Sequence, residues 1–217
     1  MLGVPLLHAH DAGDIIVRLG AARMFTSEDS SSILIDKGGL AGTDIGGSAS
    51  FSNDTQFGIT TTYMITEQIG FEAMMTTPFR TKVAFHNTIL SAANEPLGKI
   101  KQTSPTLNLV YYPFNPRQSF QPYVGAGIGY TWFSKDNMSA VGTSNGFANL
   151  RAENAWGKNV QIGFDYKLTD RLILNAQARY YTTDTTVYMD NVLLNIRMKS
   201  DMEIKSKIVM IGLGYRF

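Results

Sequence analysis

Three histidines, His8, His10 and His86, carry the only side chains here whose ordinary pKa lies near neutral pH, so acid–base chemistry would have to use one of them. His86 stands near Ser91 and Glu95, a hydroxyl and a carboxylate, but the spacing matches no local catalytic motif and reads as a solvated loop histidine. His10 lies at the start of the expected mature chain, and His8 falls in a segment expected to be removed. The absence of cysteine excludes thiol catalysis, disulfides and Cys-ligated metal, and no cluster shows metal-ligand spacing. The expectation is a protein that is not an enzyme, with no catalytic residue, cofactor or metal. The remaining residues of chemical interest are isolated charges, Arg18, Glu72, Asp165, Lys167 and Arg216, and two prolines, Pro78 and Pro105. What these can do depends on the elements that carry them.

The chain has 217 residues, of which 17% are charged, below the typical ~25%, with 20 glycines, 12 phenylalanines and 10 tyrosines. A net charge of +1 gives no field that would draw nucleic acid. The longest uncharged stretch, Gln118 to Ser134, is too short and too polar for a membrane helix. Residues 1–9, with the apolar run Leu2 to Leu7 before Ala9, read as the remnant of a signal peptide, leaving 10–217 as one domain.

Apolar residues recur with period two, not 3.6, which makes this an all-β chain. Eight strands are expected near 14–24, 55–65, 69–81, 103–113, 120–133, 156–168, 172–183 and 203–217. Short turns (66–68, 115–118, 169–171) alternate with long polar segments (25–54, 82–102, 134–155, 184–202). This asymmetry is that of an antiparallel up-and-down transmembrane β-barrel in a bacterial outer membrane, loops outside and both termini periplasmic. One face of each strand is apolar: Val124, Ala126, Ile128, Tyr130 and Trp132 alternate with Tyr123, Gly125, Gly127, Gly129 and Thr131. A soluble barrel would bury the apolar face instead, but Tyr63, Tyr111, Tyr130, Trp132, Tyr180, Tyr215 and Phe217 cluster near strand ends on that face, as an interfacial girdle does. The last strand ends on Tyr215 and Phe217 and resembles the signal read by the outer-membrane assembly machinery.

From His10 to Phe217 the sequence resembles the OmpW family of Gram-negative outer-membrane proteins. The resemblance rests on the order of His10-Asp11-Ala12-Gly13-Asp14, Asn53-Asp54-Thr55-Gln56, Tyr63-Met64, Thr77-Pro78-Phe79, Pro105-Thr106-Leu107, Pro122-Tyr123-Val124-Gly125-Ala126-Gly127, Trp156-Gly157 and Gly214-Tyr215-Arg216-Phe217. It implies an eight-stranded, porin-like barrel with a narrow lumen for passive uptake of small hydrophobic molecules, some members releasing cargo sideways into the membrane. It also implies that Met74 and position 179 face the lumen constriction. Position 179 is Arg here where relatives carry a large aromatic, which favours an amphipathic cargo or a closing Arg contact.

An eight-stranded interior is filled by side chains, so a wide aqueous pore is excluded. The inward charges Arg18, Glu72, Asp165, Lys167 and Arg216 are expected to pair, Arg18 with Glu72 first, as a plug of the lower lumen or as an ionic core without a transport role. Pro78 and Pro105, nearly opposite if strands three and four form a hairpin about residues 91–92, would strip donors from the ladder and mark a lateral exit, or merely mark bulges. Expected partners are lipid or detergent, small hydrophobic molecules and the assembly machinery, with no nucleic acid and a monomeric state. The alternative function is a closed structural or adhesive barrel without transport.

Overall fold

The computed structural model describes residues 10–88 and 96–217; the expected signal-peptide remnant 1–9, with His8, and Ser91 and Glu95 lie outside the described residues. Thirteen strands and one short helix are present among the described residues. Eight strands close a ring: β1 (Ile15–Ser30), β4 (Asp54–Met64), β5 (Ile69–Thr76), β8 (Thr106–Tyr111), β9 (Phe120–Met138), β11 (Ala155–Lys167), β12 (Leu172–Asn191) and β13 (Ile196–Arg216). Each pairs antiparallel with the next, and β13 returns to β1 over fifteen residue pairs from Ile16↔Arg216 to Ser30↔Met202. The ring is the expected eight-stranded meander, and closure leaves it without a free edge.

Period-two alternation sorts the wall into two faces. On β12, Ile173, Asn175, Gln177, Arg179 and Tyr181 are buried inside, while Leu172, Leu174 and Tyr180 are exposed outside. The exterior is a belt of exposed Leu, Ile, Val and Phe with Tyr63, Tyr111, Trp132, Tyr215 and Phe217 toward its margins. An apolar outside around a polar inside inverts a soluble barrel and matches a wall that faces lipid. No helix among the described residues is long and apolar enough to cross a membrane.

The long connections are not the polar loops that composition suggests. They contain β2 (Leu34–Lys37), β3 (Ser48–Phe51), β6 (Phe79–His86), β7 (Pro96–Thr103), β10 (Phe147–Ala152) and helix α1 (Ala140–Ser144). A membrane crossing takes ~9–11 residues per strand, yet β12 has 20 residues and β13 has 21, so about half of each stands beyond the belt. There Ile33, Ile35, Ile45, Val83, Ile100, Phe147, Val187, Met198 and Ile204 bury one another in a second apolar core. Sequence reading misses it because its members are dispersed singly among polar residues and meet only when five short strands fold over the barrel mouth.

The expected third and fourth strands are each broken by their proline. The 69–81 strand divides into β5 and β6 around Thr77-Pro78, and the 103–113 strand into β7 and β8 around Ser104-Pro105. Pairing runs from Ile69↔Tyr111 to Met74↔Thr106, then resumes at Phe79↔Gln102. Four residues on one side and three on the other stand between these pairs, which is the count of a bulge.

Candidate functional site

Inside the ring, the turn end of the lumen is closed by an ionic cluster. Arg18 is fully buried; its Nε donates to Asp165 Oδ1 at 2.9 Å and its Nη2 to Asp165 Oδ2 at 2.5 Å, a two-point clamp. Its Nη1 donates to Thr62 Oγ1 at 2.7 Å, and Nη2 also reaches the Tyr112 hydroxyl at 2.8 Å. Asn175 Nδ2 donates to Asp165 Oδ1 at 2.9 Å, so both carboxylate oxygens are occupied. Below, His10 packs on Tyr112 with ring centroids 4.4 Å apart, and Tyr112 on Tyr123 at 5.1 Å. Burial of His10 pushes its imidazole pKa down to about 4, which leaves it uncharged at neutral pH.

A second layer sits above the first. Glu72 Oε1 accepts from Arg179 Nη2 at 2.8 Å and from Gln161 Nε2 at 2.9 Å, and Arg179 also donates to Gln161 Oε1 and to Thr106 Oγ1. Beside it the Asn108 and Asn159 amides exchange hydrogen bonds of 2.8 and 2.9 Å directly over Gly127, the residue both pair with across the sheet. A Cβ at Gly127 would collide with the Leu107 carbonyl and Asn108, so the small inward face of β9 is what makes room for this layer.

The expected pair of Arg18 with Glu72, both on inward positions of N-terminal strands, is present at 3.5 Å from Nη1, but the closer partner is Asp165, which takes two guanidinium nitrogens. Glu72 bridges both arginines, since Arg179 meets its other oxygen. Arg216 lies outside this cluster, at the barrel base near Asp14 (3.4 Å) and Asp11 (3.8 Å). Lys167 is only half-buried at the end of β11, where its backbone N–H donates to Ser119 O. Residues missed by sequence reading are the neutral partners Tyr112, Gln161, Asn108, Asn159 and Asn175; their inward parity was legible, their convergence was not.

Above the second layer, Met24, Met74, Phe79 and Ile208 line a narrow cavity that Arg179 closes from below. Its volume of about 10 Å³ is roughly the room of one water molecule. Thr76 and Ser104 also line it, and these stand on the two lips of the ladder break. Each lip is bonded away from the other: Thr77 N donates to Phe57 O on β4, while Pro105 O accepts from Tyr130 N on β9 and Ser104 Oγ meets Thr131 Oγ1 at 2.8 Å. The prolines are diagonal across the break rather than opposite, Pro78 beside Phe79 and Pro105 beside Thr106.

At the loop end, His86 is exposed and its Nε2 lies 2.8 Å from Ser50 Oγ, an exposed cross-strand contact of the β3·β6 pair. Among the described residues no carboxylate pairs with the ring and no group of three or more acidic or histidine ligands could hold a metal. His86→Ala should therefore leave any measured uptake through the reconstituted barrel within about twofold of wild type; a loss of a hundredfold or more, about 3 kcal/mol, would restore a catalytic reading of the Ser50–His86 pair.

The OmpW family model matches residues 11–217. Outer membrane protein W of Vibrio cholerae is 34% identical over 96% of this chain and 91% of its own length. Its Escherichia coli counterpart is 31% identical over the same shares of the two chains. Among solved structures, OprG of Pseudomonas aeruginosa superposes with a TM-score of 0.88 at 34% identity, covering 96% of this chain and 98% of that one.

Proposed function

Because the chain belongs to the OmpW family and is a bacterial outer-membrane barrel, we propose that it is a passive channel for small hydrophobic or amphipathic molecules, which leave sideways into the bilayer between β5 and β8. The observation that carries this reading is the narrow cavity: its base is shut by two ionic layers, whereas its side reaches Thr76 and Ser104, where the ladder is unpaired. A solute that enters from the loop end meets charge below and a weakened wall beside it. Transfer of apolar surface out of water is favourable by ~25 cal/mol per Å², so the bilayer is the downhill sink. Met74 and Arg179 form the constriction, Met74 supplying a flexible apolar contact and Arg179 a polar one that suits an amphipathic cargo. Arg179 reaches Glu72 on β5 and Thr106 on β8, and so ties both lips to β12. In this reading the loops lie outside the cell, both termini are periplasmic, the barrel works as a monomer, and Tyr215 and Phe217 present it to the assembly machinery.

The test is uptake of a small apolar solute into lipid vesicles bearing the refolded barrel. Wild type should exceed protein-free vesicles, and Arg179→Met, which removes the tie, should raise the rate severalfold. The closed cavity also favours a second reading, a structural or adhesive barrel. Uptake equal to protein-free vesicles for both wild type and Arg179→Met would establish that reading in place of transport.

A further inference from the structure

The outer wall of the barrel carries a second group of charges, apart from those in the lumen. Arg23 on β1, Lys207 on β13 and Lys158 on β11 all project outward at the loop-end margin of the apolar belt. None of the three has a carboxylate within 4 Å among the described residues. Lys205, one step further up β13, is joined to Glu203 at 3.1 Å. The register fixes their layout: Lys207 stands between Phe25 and Tyr180, and Thr182 stands between Lys158 and Lys205. With neighbouring strands ~4.8 Å apart, Lys158 and Lys205 are about 10 Å from each other across Thr182.

Directly below this row is a shallow apolar groove of about 350 Å³, lined by Val160, Ile162, Ala178, Tyr180, Val209 and the stem of Lys207. Ala178 is its floor, since the register sets this small residue between Ile162 and Val209. Above the row, Asp184 and Glu203 face one another across β12 and β13. The cations thus form a narrow strip between an apolar slot and an acidic rim.

We propose that this strip and slot bind one class of partner, an acylated lipid whose phosphate headgroup is net anionic, in the leaflet at the loop end. The slot takes an acyl chain, Lys207 and Lys158 take the phosphate oxygens, and Arg23 extends the strip toward β1. The acidic rim repels the phosphate from above and so fixes its height at the lysine row. Simple snorkelling of lysines to the interface would place the same charges there but would not distinguish one headgroup from another.

The test uses the full chain refolded in phosphatidylcholine vesicles containing a trace of spin-labelled lipid, either phosphatidic acid or phosphatidylcholine. Wild type should immobilise the phosphatidic acid label in preference, and each lysine near the surface accounts for about fivefold. Lys158→Gln with Lys207→Gln should bring the preference close to one, and the Arg double variant should retain it. These exposed exchanges leave folding intact, checked by the gel shift between unheated and heated barrel. Equal immobilisation of the two labels by wild type, or a preference that survives the Gln double variant, overturns the proposal. Release of the labelled lipid by millimolar inorganic phosphate also overturns it, because the site would then hold a free ion rather than a lipid.

Discussion

Asp165→Ala should destabilise the refolded barrel by about 3 to 5 kcal/mol, the usual cost of stripping one partner from a buried ion pair. Arg18 would keep its charge in a fully buried position, with Thr62, Tyr112, the Tyr123 ring and the more distant Glu72 left to meet it. Replacing both partners, Arg18→Met with Asp165→Leu, removes the charge together with its counter-charge and should recover most of the loss. The measurement is the urea midpoint of unfolding in detergent micelles for the two single variants and the double one. A loss below about 1 kcal/mol for Asp165→Ala would mean that water or Glu72 solvates Arg18 and that the cluster does not seal the lumen.

The second large effect concerns the wall between β5 and β8. A disulfide or short cross-link between Thr77→Cys and Thr103→Cys, positions set opposite by extension of the β5·β8 register, should abolish uptake of apolar solutes while the barrel stays folded. The chain has no other cysteine, so the link is selective. The prolines should differ. Thr77 N bonds β4, so strand alternation turns the backbone at Pro78 toward the break, whereas the Pro105 carbonyl already faces β9. Pro78→Ala therefore restores a donor aimed at the break, and one ladder bond of ~0.5–1.5 kcal/mol should slow uptake up to about tenfold. Pro105→Ala adds its donor on the β9 side and should have the smaller effect. Wild-type flux through the cross-linked, folded barrel rules out passage between these strands.

The ring was legible because period-two alternation and the contrast of short turns with long connections are local signals, each readable within a dozen residues. The faces were legible too: the apolar set on β12 and β9 lies outside as expected. The closer partner of Arg18 was not, because parity says that Arg18, Glu72 and Asp165 all point inward but not at what height each guanidinium ends. Asp165 lies on β11, two strands beyond β13, and reaches Arg18 only across the lumen. The diagonal placement of Pro78 and Pro105 was likewise hidden, since it depends on a one-residue bulge that no composition signal marks. The loop-end core escaped because a buried Ile33 or Val83 among polar neighbours looks the same in sequence as an exposed one.

That core makes the loop end of this molecule a scaffold in its own right. Its cohesion comes from side chains such as Ile35, Ile100 and Met198 packed against one another, not from lipid. Inserted peptides would be tolerated at the tip formed by Val192, Leu193 and Leu194, which are 68%, 74% and 52% exposed and lie between the ends of β12 and β13. The same insertion beside Ile33 or Ile45 would split the core and take the graft's own support with it.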